Sequence, residues 1–174
     1  MGVVVRAYLQ NADNCQVVTA NSKGEEIRFP LKKIDDSGFF EGFSDAITST
    51  QSYRLRTNLP NGEIRQFFDP YSFLPTLSEQ DLYLFNQGNE HFIYNKLGAH
   101  EKIIDGTPGV AFAVWAPSAK RVSVVGDFNQ WDGRYHPMRS LGSSGVWELF
   151  IPGLGDGTTY KFEVHGADGS LRLK

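Results

Sequence analysis

The feature that most constrains this chain is an internal repeat that runs without a gap over most of its length. A shift of 107 positions places residues 5–67 over residues 112–174. Under this shift the coinciding residues include Ala12 and Ala119, Val17 and Val124, Pro30 and Pro137, Glu41 and Glu148, Tyr53 and Tyr160, and Gly62 and Gly169. Apolar runs and turn residues are preserved together, which is typical of one structural unit used twice. The chain is predicted to contain two diverged copies of one fold.

Each copy has the pattern of a β-sandwich. Residues 53–56 and 160–163 alternate apolar and polar side chains, as in strands with one buried face. The Asn-Gly pair at 61–62 and the Asp-Gly pair at 168–169 predict two-residue hairpin turns, in which both central residues adopt positive φ. Short strands separated by such turns indicate an all-β chain made of two tandem sandwiches.

The repeat also sets the predicted domain boundaries. The amino-terminal sandwich is predicted over residues 1–70, an ordered connector over residues 71–108, and the second sandwich over residues 109–174. By the repeat, residues 68–70 of the first copy have a counterpart just beyond Lys174. We therefore expect the sequence to be a piece of a longer protein, cut within or just after a final strand.

One short helix is predicted in the connector. Ser78 is followed three residues later by Asp81 and then by an apolar run, which is a capping pattern for a helix start. Gly88 marks the expected end of the helix.

Composition and charge exclude several classes of partner. The 174 residues carry a net charge of -3, and no dense stripe of Lys and Arg marks a nucleic-acid site. The apolar start is too short to span a membrane and lacks a signal-peptide pattern. Cys15 is the one cysteine, so no disulfide framework forms, which fits a reducing cytoplasm.

No residues in the sequence form a recognisable catalytic set or metal site. The four histidines lack ligand spacing. Candidate carboxylates lie at positions predicted to be turns or sandwich surfaces, namely Asp35, Asp36, Asp127, Asp132 and Glu148. Trp115 and Trp147 fall within strands and are predicted to be core residues. We predict no catalysis by these residues, and neither a metal nor an organic cofactor.

The strongest functional signal is a tryptophan on a polar loop. An alternating strand runs into residues 126–132, where Trp131 stands among Asn129, Gln130 and Asp132. A large ring normally packs into a core. A ring flanked by amide and carboxylate groups suits a flat, hydroxyl-rich ligand, so Trp131 and Asn129 predict glycan binding.

These residues also carry a family resemblance. The run from 109 to 174 resembles carbohydrate-binding module family 48, the immunoglobulin-like domain attached to enzymes of starch and glycogen metabolism. The resemblance rests on the motifs at 114–117, 122–132, 145–153 and 160–163. With Leu97-Gly98-Ala99-His100 added, the chain is similar to the amino-terminal region of bacterial glycogen branching enzymes.

The resemblance implies a set of binding residues. In glucan-binding members of the family, a Trp at the position of Trp131 stacks on a sugar ring and a Lys at the position of Lys161 makes a polar contact. A second aromatic residue follows an Asp-Gly turn, where this chain has Leu171 instead. Contact between Trp131 and a catalytic domain, rather than a glucan, remains an open alternative.

The resemblance further implies the role of the whole chain. It would be the non-catalytic amino-terminal region of a 1,4-α-glucan branching enzyme, which forms α-1,6 branches by retaining transglycosylation in a (β/α)₈ barrel. The region itself would be inactive and would hold α-1,4-glucan, such as glycogen or maltooligosaccharides, for the barrel of the same polypeptide. A stand-alone glycan-binding or regulatory module and a module of a debranching enzyme are the alternatives.

Overall fold

The structure, a computed structural model, describes residues 2–21, 23–45, 47 and 52–174. It divides into two compact units, residues 1–73 and residues 74–174. Strands dominate both units, so the prediction of an all-β chain with two sandwiches is confirmed. In the described part of the chain, no helix has the length and apolar character needed to cross a membrane.

The first unit is built from six antiparallel strands. They are β1 (Val3–Tyr8), β2 (Asn14–Ala20), β3 (Glu26–Lys33), β4 (Phe39–Ser44), β5 (Arg54–Asn58) and β6 (Ile64–Phe68). Their order is β1-β4-β3-β2-β5-β6, and β3 pairs first with β2 and then with β4 through Lys32 and Lys33. The strands thereby enclose a core that includes Val5, Val17 and Phe40.

The second unit contains one α-helix and seven strands among the residues described. They are α1 (Glu79–Asn86), β7 (Gly98–Ile104), β8 (Thr107–Trp115), β9 (Ala119–Gly126), β10 (Arg139–Ser140), β11 (Val146–Pro152), β12 (Tyr160–Gly166) and β13 (Leu171–Leu173). Two antiparallel sheets form, β10-β11-β8-β7 and β13-β12-β9. Phe112, Val124, Leu149 and Phe162 fill the core between them.

The two units are related strand by strand, as the repeat predicts. Ala7 pairs with Phe40 in the first unit, and Val114 pairs with Trp147 in the second. The same displacement of 107 positions relates the other ladders, as in Val17–Leu55 and Val124–Phe162, Thr57–Arg65 and Val164–Arg172, and Gln16–Pro30 and Ser123–Pro137. The strand pairing of the two units is therefore equivalent at these positions.

The predicted helix forms where its capping residues place it. Ser78 is the N-cap, and its side chain and that of Asp81 form a reciprocal capping box. Leu82 and Phe85 of α1 pack with Ala113 and Val146 on the outer face of the β10-β11-β8-β7 sheet. Within the segment predicted as a connector, residues 98–104 form β7 and pair with β8.

The type of the two hairpin turns was predicted wrongly. Gly62 and Gly169 have φ of 83° and 81°, but Asn61 and Asp168 do not adopt positive φ. In the first hairpin, Pro60 fixes φ near the value that a type I turn requires, and glycine alone takes the left-handed position after it. Each turn therefore has one left-handed residue instead of two.

Two other residues lie in environments that the sequence did not predict. Trp115 is 54% exposed at the end of β8, where its ring packs edge-to-face against Phe85, so its assignment to the core was wrong. Trp147 packs at the core with partial burial. Glu148 is completely buried, because the segment before α1 covers the sheet and Thr76 donates to its carboxylate.

Candidate functional site

The loop between β9 and β10 presents Trp131 on an unusual backbone. Asp127–Asn129 form a turn of 3-10 helix, and Gln130 and Trp131 follow with φ of 57° and 60°. Left-handed backbone is uncommon for residues other than glycine and costs about 1–3 kcal/mol each when the surroundings impose it. Two such residues in succession mark this loop as one that the rest of the unit holds in place.

The side chain of Asn129 stabilises this loop conformation. Its side chain is 6% exposed, and its Oδ1 accepts a hydrogen bond from the backbone N–H of Gly126 at 2.9 Å. Its Nδ2 donates to the carbonyl of Val124 and lies 2.9 Å from Nδ1 of His136. Burial lowers the pKa of His136 to about 4, so its imidazole is neutral near pH 7 and accepts the second amide hydrogen. The Asn129 amide is therefore fully engaged inside the loop.

The indole of Trp131 is fixed at its polar edge and open elsewhere. Nε1 donates to Oδ1 of Asp127 at 2.8 Å, and the backbone N–H donates to the carbonyl of Gly126 at 2.9 Å. The residue remains 40% exposed. A ring held in this way needs little further ordering when a ligand packs against it.

Strand register brings Lys161 to the same end of the sheet. Lys161 lies on β12 opposite Val125, and the neighbouring residue Tyr160 is paired with Gly126. The same Gly126 accepts the hydrogen bond from Trp131. The ammonium group of Lys161 is on an exposed side chain, available to hydrogen-bond acceptors.

Leu171, which stands at the position of the second aromatic, lies farther along this sheet. It is on β13, paired with His165, and is 59% exposed. An aliphatic side chain offers apolar area without a flat ring face. The three residues implied by the resemblance thus lie in one sheet and the loop attached to it.

The loop also contacts the outer face of the sheet directly. A Cβ atom at Gly133 would overlap the carboxylate of Glu163, so the loop backbone rests on that side chain. Beside it, Arg134 donates to both oxygens of Asp132, and this guanidinium lowers the pKa of Asp132 to about 2. The carboxylate therefore stays ionised and braces the loop.

Four of the five carboxylates considered for catalysis, all except Asp36, accept hydrogen bonds from neighbouring side chains in this fold. Asp35 accepts from Ser37, Asp127 from Trp131, Asp132 from Arg134 and Glu148 from Thr76. No three His, Cys, Asp or Glu side chains converge on a possible metal position within the residues described.

Sequence reasoning missed a group of polar residues on this face. Arg121, Glu163 and His165 lie next to one another on β9 and β12, within reach of hydrogen bonds. The alternation of β12 could have indicated two of them, because every second residue after Lys161, namely Glu163 and His165, points away from the core.

Comparison with known proteins identifies relatives of both units. The profile described as Carbohydrate-binding module 48 (Isoamylase N-terminal domain) matches residues 1–72 and 96–174. A 1,4-alpha-glucan branching enzyme GlgB of Rubrobacter xylanophilus is 49% identical over 97% of this chain, and one of Pseudomonas fluorescens is 52% identical over 99%. The chain spans 22% of the length of each.

Likeness to solved structures is weaker. Pullulanase from Anoxybacillus sp. LM18-11 matches 99% of this chain and 23% of its own at 14% identity, with a TM-score of 0.36. A score of this size supports no structural conclusion.

Proposed function

The chain belongs to the carbohydrate-binding module 48 family, and from that premise we propose that its second unit binds α-1,4-glucan at Trp131 and Lys161. The observation that carries the proposal is the indole of Trp131, fixed through Asp127 yet 40% exposed. The apolar face of a sugar ring packs on such a ring, while the ammonium of Lys161 donates to a hydroxyl oxygen. The proposed ligands are glycogen and maltooligosaccharides.

In this proposal Asn129 acts indirectly. It was predicted as a carbohydrate contact, but its amide is buried and engaged with Gly126, Val124 and His136. We assign it the role of holding the loop in the shape that presents Trp131. The first unit has Gly24 at the position of Trp131, so we propose that it orients or spaces the second unit and binds no glucan by this route.

We further propose that the longer protein is a 1,4-α-glucan branching enzyme. Support comes from relatives of that name, 49% and 52% identical to this chain across nearly its whole length. That enzyme would cleave an α-1,4 linkage and transfer the segment to a 6-hydroxyl with retention, using carboxylates of a (β/α)₈ barrel. The residues present here would position the polymer for the barrel, without catalysis and without a metal or organic cofactor.

We place the protein in the cytoplasm, with a polysaccharide as partner in preference to a nucleic acid or a membrane. The net charge of -3 and the absence of a basic stripe in the sequence support this choice. The thiol of Cys15 is buried, and burial raises its pKa to about 12, which suits a reduced and unreactive cysteine.

The proposal is tested by titrating the 174-residue chain with maltoheptaose and by affinity electrophoresis in glycogen. Trp131→Ala is expected to weaken binding by about tenfold or more, because the stacking area and its specific contribution are lost together. Trp115→Ala is the matched control, since it removes an exposed Trp from the other sheet of the same unit. Equal affinity of Trp131→Ala and wild type would overturn the proposal.

A further inference from the structure

We infer that a glucan bound at Trp131 continues along β12 over a polar cluster of Arg121, Glu163 and His165, which contacts the hydroxyl groups of the next sugars. The inference rests on the proposed function and extends it by a second subsite. Arg121 and His165 lie outside the motifs that indicated Trp131 and Lys161 as contacts, and Glu163 is the last residue of one of those motifs.

Strand alternation places the cluster on the outer face of the β13-β12-β9 sheet. Tyr160, Phe162 and Val164 of β12 pack on the core, so Lys161, Glu163 and His165 point the other way. Arg121 of β9 is paired with His165 and therefore shares that face. The face also carries Lys161, so the cluster and the proposed ammonium contact follow one line.

The geometry of the cluster leaves hydrogen-bonding capacity for a ligand. Arg121 donates from Nη2 to Oε1 of Glu163 at 3.3 Å and lies 2.6 Å from Nε2 of His165. The same Nε2 lies 2.9 Å from Oε1 of Glu163. One ring nitrogen either accepts from the guanidinium or donates to the carboxylate, so it does not serve both. A sugar hydroxyl group both donates and accepts, so it can bind whichever of Arg121 and Glu163 is not bonded to His165 Nε2.

The cluster is continuous with the Trp131 loop. The backbone of Gly133 rests on the Glu163 side chain, two residues after Trp131. From Lys161 to His165 the strand advances four residues, which is roughly 13 Å at the rise of an antiparallel strand. This distance accommodates more than one sugar ring. A register shift between His165 and Gly166 ends the regular pairing there, and such bulges re-aim side chains at binding sites.

Apolar side chains border the cluster on its far side. Leu171 and Leu173 are paired with His165 and Glu163, so they share the outer face, and they are 59% and 54% exposed. Apolar carbon next to charged hydrogen-bonding groups matches the two kinds of surface of a glucose ring. In place of a second stacking ring, this chain therefore offers a polar clamp, which is the Arg121, Glu163 and His165 cluster bordered by the aliphatic side chains of Leu171 and Leu173. The clamp predicts a preference for longer oligosaccharides over short ones.

The test compares ligands of two lengths. Maltotriose and maltoheptaose are titrated into wild type, Trp131→Ala, Arg121→Met, Arg121→Lys and Glu163→Gln by calorimetry. Arg121→Met and Glu163→Gln are expected to weaken maltoheptaose binding by about tenfold and maltotriose binding by less than about twofold. Arg121→Lys is expected to recover part of the loss, because it retains a charged donor. Arg6→Met is the control, since it breaks a similar cross-strand pair with Glu41 in the first unit.

The outcomes separate this inference from the function on which it rests. If Trp131→Ala loses binding while Arg121→Met and Glu163→Gln bind both ligands like wild type, the cluster is a surface ion pair and the inference alone is overturned. If the cluster variants lose both ligands equally, no length-dependent subsite exists. If wild type binds neither ligand, the proposed function and the inference are overturned together. Thermal unfolding of each variant shows whether a loss of affinity reflects a loss of fold.

Discussion

The two sandwiches use the same number of residues to build different structures at one corner. In the first unit, residues 16–20 and 26–30 continue as a paired ladder, and Gly24 between them has φ of 80°. In the second unit, residues 123–137 leave the ladder early and form the loop that carries Trp131. The difference shows that matched segments of equal length can form either a strand ladder or a loop, depending on their side chains.

The backbone groups of β9 explain how the ladder is replaced. In the first unit Thr19 pairs with Ile27 of β3. At the corresponding place in the second unit, the amide of Asn129 takes the N–H of Gly126 and the carbonyl of Val124. The Asn129 side chain thus makes two hydrogen bonds to β9 at a place where β3 pairs with β2 in the first unit. The residues after Asn129 therefore need not continue as a paired strand.

A second contrast concerns one glutamate that occurs in both copies. Glu41 and Glu148 occupy matched positions on β4 and β11. Glu41 is partly exposed and pairs with Arg6 at 2.7 Å, whereas Glu148 is 0% exposed and accepts from Thr76. The same residue is therefore a surface charge in one unit and a buried anchor for the segment before α1 in the other.

The largest expected effect comes from removing this anchor. Glu148→Ala should lower the free energy of unfolding by about 3 kcal/mol, because it removes the acceptor of both partly buried Thr76 donors and deprives Arg139 of an opposite charge. Glu41→Ala, which breaks an exposed pair, should cost less than about 1 kcal/mol. Urea unfolding of both variants measures the difference. Equal costs would contradict the contrast.

A smaller effect is expected from removing the amide that replaces the ladder. Asn129→Ala should cost about 2 kcal/mol of stability, because it leaves the N–H of Gly126 and the carbonyl of Val124 without partners in a buried site. It should also weaken glucan binding, since Trp131 loses its support. Asn21→Ala is the matched control in the first unit, where the side chain caps an exposed turn through Glu25, and it should cost about half as much. Urea unfolding and maltoheptaose titration are the measurements, and an Asn129→Ala variant with wild-type values in both would refute this account.

The matched cations on β5 and β12 sharpen the functional comparison. Lys161→Ala should weaken maltoheptaose binding by about threefold to tenfold, because one charged donor to a sugar hydroxyl is lost. Arg54→Ala, at the same position in the first unit, should leave affinity unchanged, since Gly24 provides no stacking ring there. Calorimetric titration decides between them. A loss in Arg54→Ala as large as that in Lys161→Ala would assign binding to both units.

The smallest effect is a dependence of stability on pH that arises from Glu148. Burial raises its pKa above the ordinary value of 4.5, so the folded state binds this proton more tightly than the unfolded state. Stability from this group is therefore complete below the ordinary pKa and is lost as pH rises through the raised one. Relative to Glu148→Gln, wild type should gain stability as the pH falls from neutral toward 4.5. Urea unfolding of both proteins across that range tests the sign, and parallel curves would refute it.

Much of the fold followed from local patterns in the sequence. Strand positions and the capping box at Ser78 depend on the side-chain period and on residues close in sequence, and the structure confirms them. The exposure of Trp115 and the burial of Glu148 depend on what covers the sheet, which residues far away in the sequence decide. In the first hairpin, Pro60 favours a type I turn, and the Asn-Gly pair after it does not by itself determine the turn type.

The candidate site divides in a similar way. Trp131 was found because a large ring in a polar run is anomalous, and Lys161 was found by resemblance. The gap-free repeat concealed the fact that one copy forms a ladder where the other forms a loop. The buried role of Asn129 depends on its contact with His136, which no spacing in the sequence indicates. The cluster around Glu163 requires knowledge of which strand lies beside β12 and in which register.

The matched pairs Gln16–Pro30 and Ser123–Pro137 have a consequence for engineering. Each pair joins the two ends of a segment, and the two segments have equal length. One segment could therefore replace the other without any change in the residues at which it joins the strands. A chimera with residues 124–136 in place of residues 17–29 is expected to keep the flanking strands in register. The second unit thus provides a loop segment, and the first unit of the same polypeptide provides a matching position to receive it.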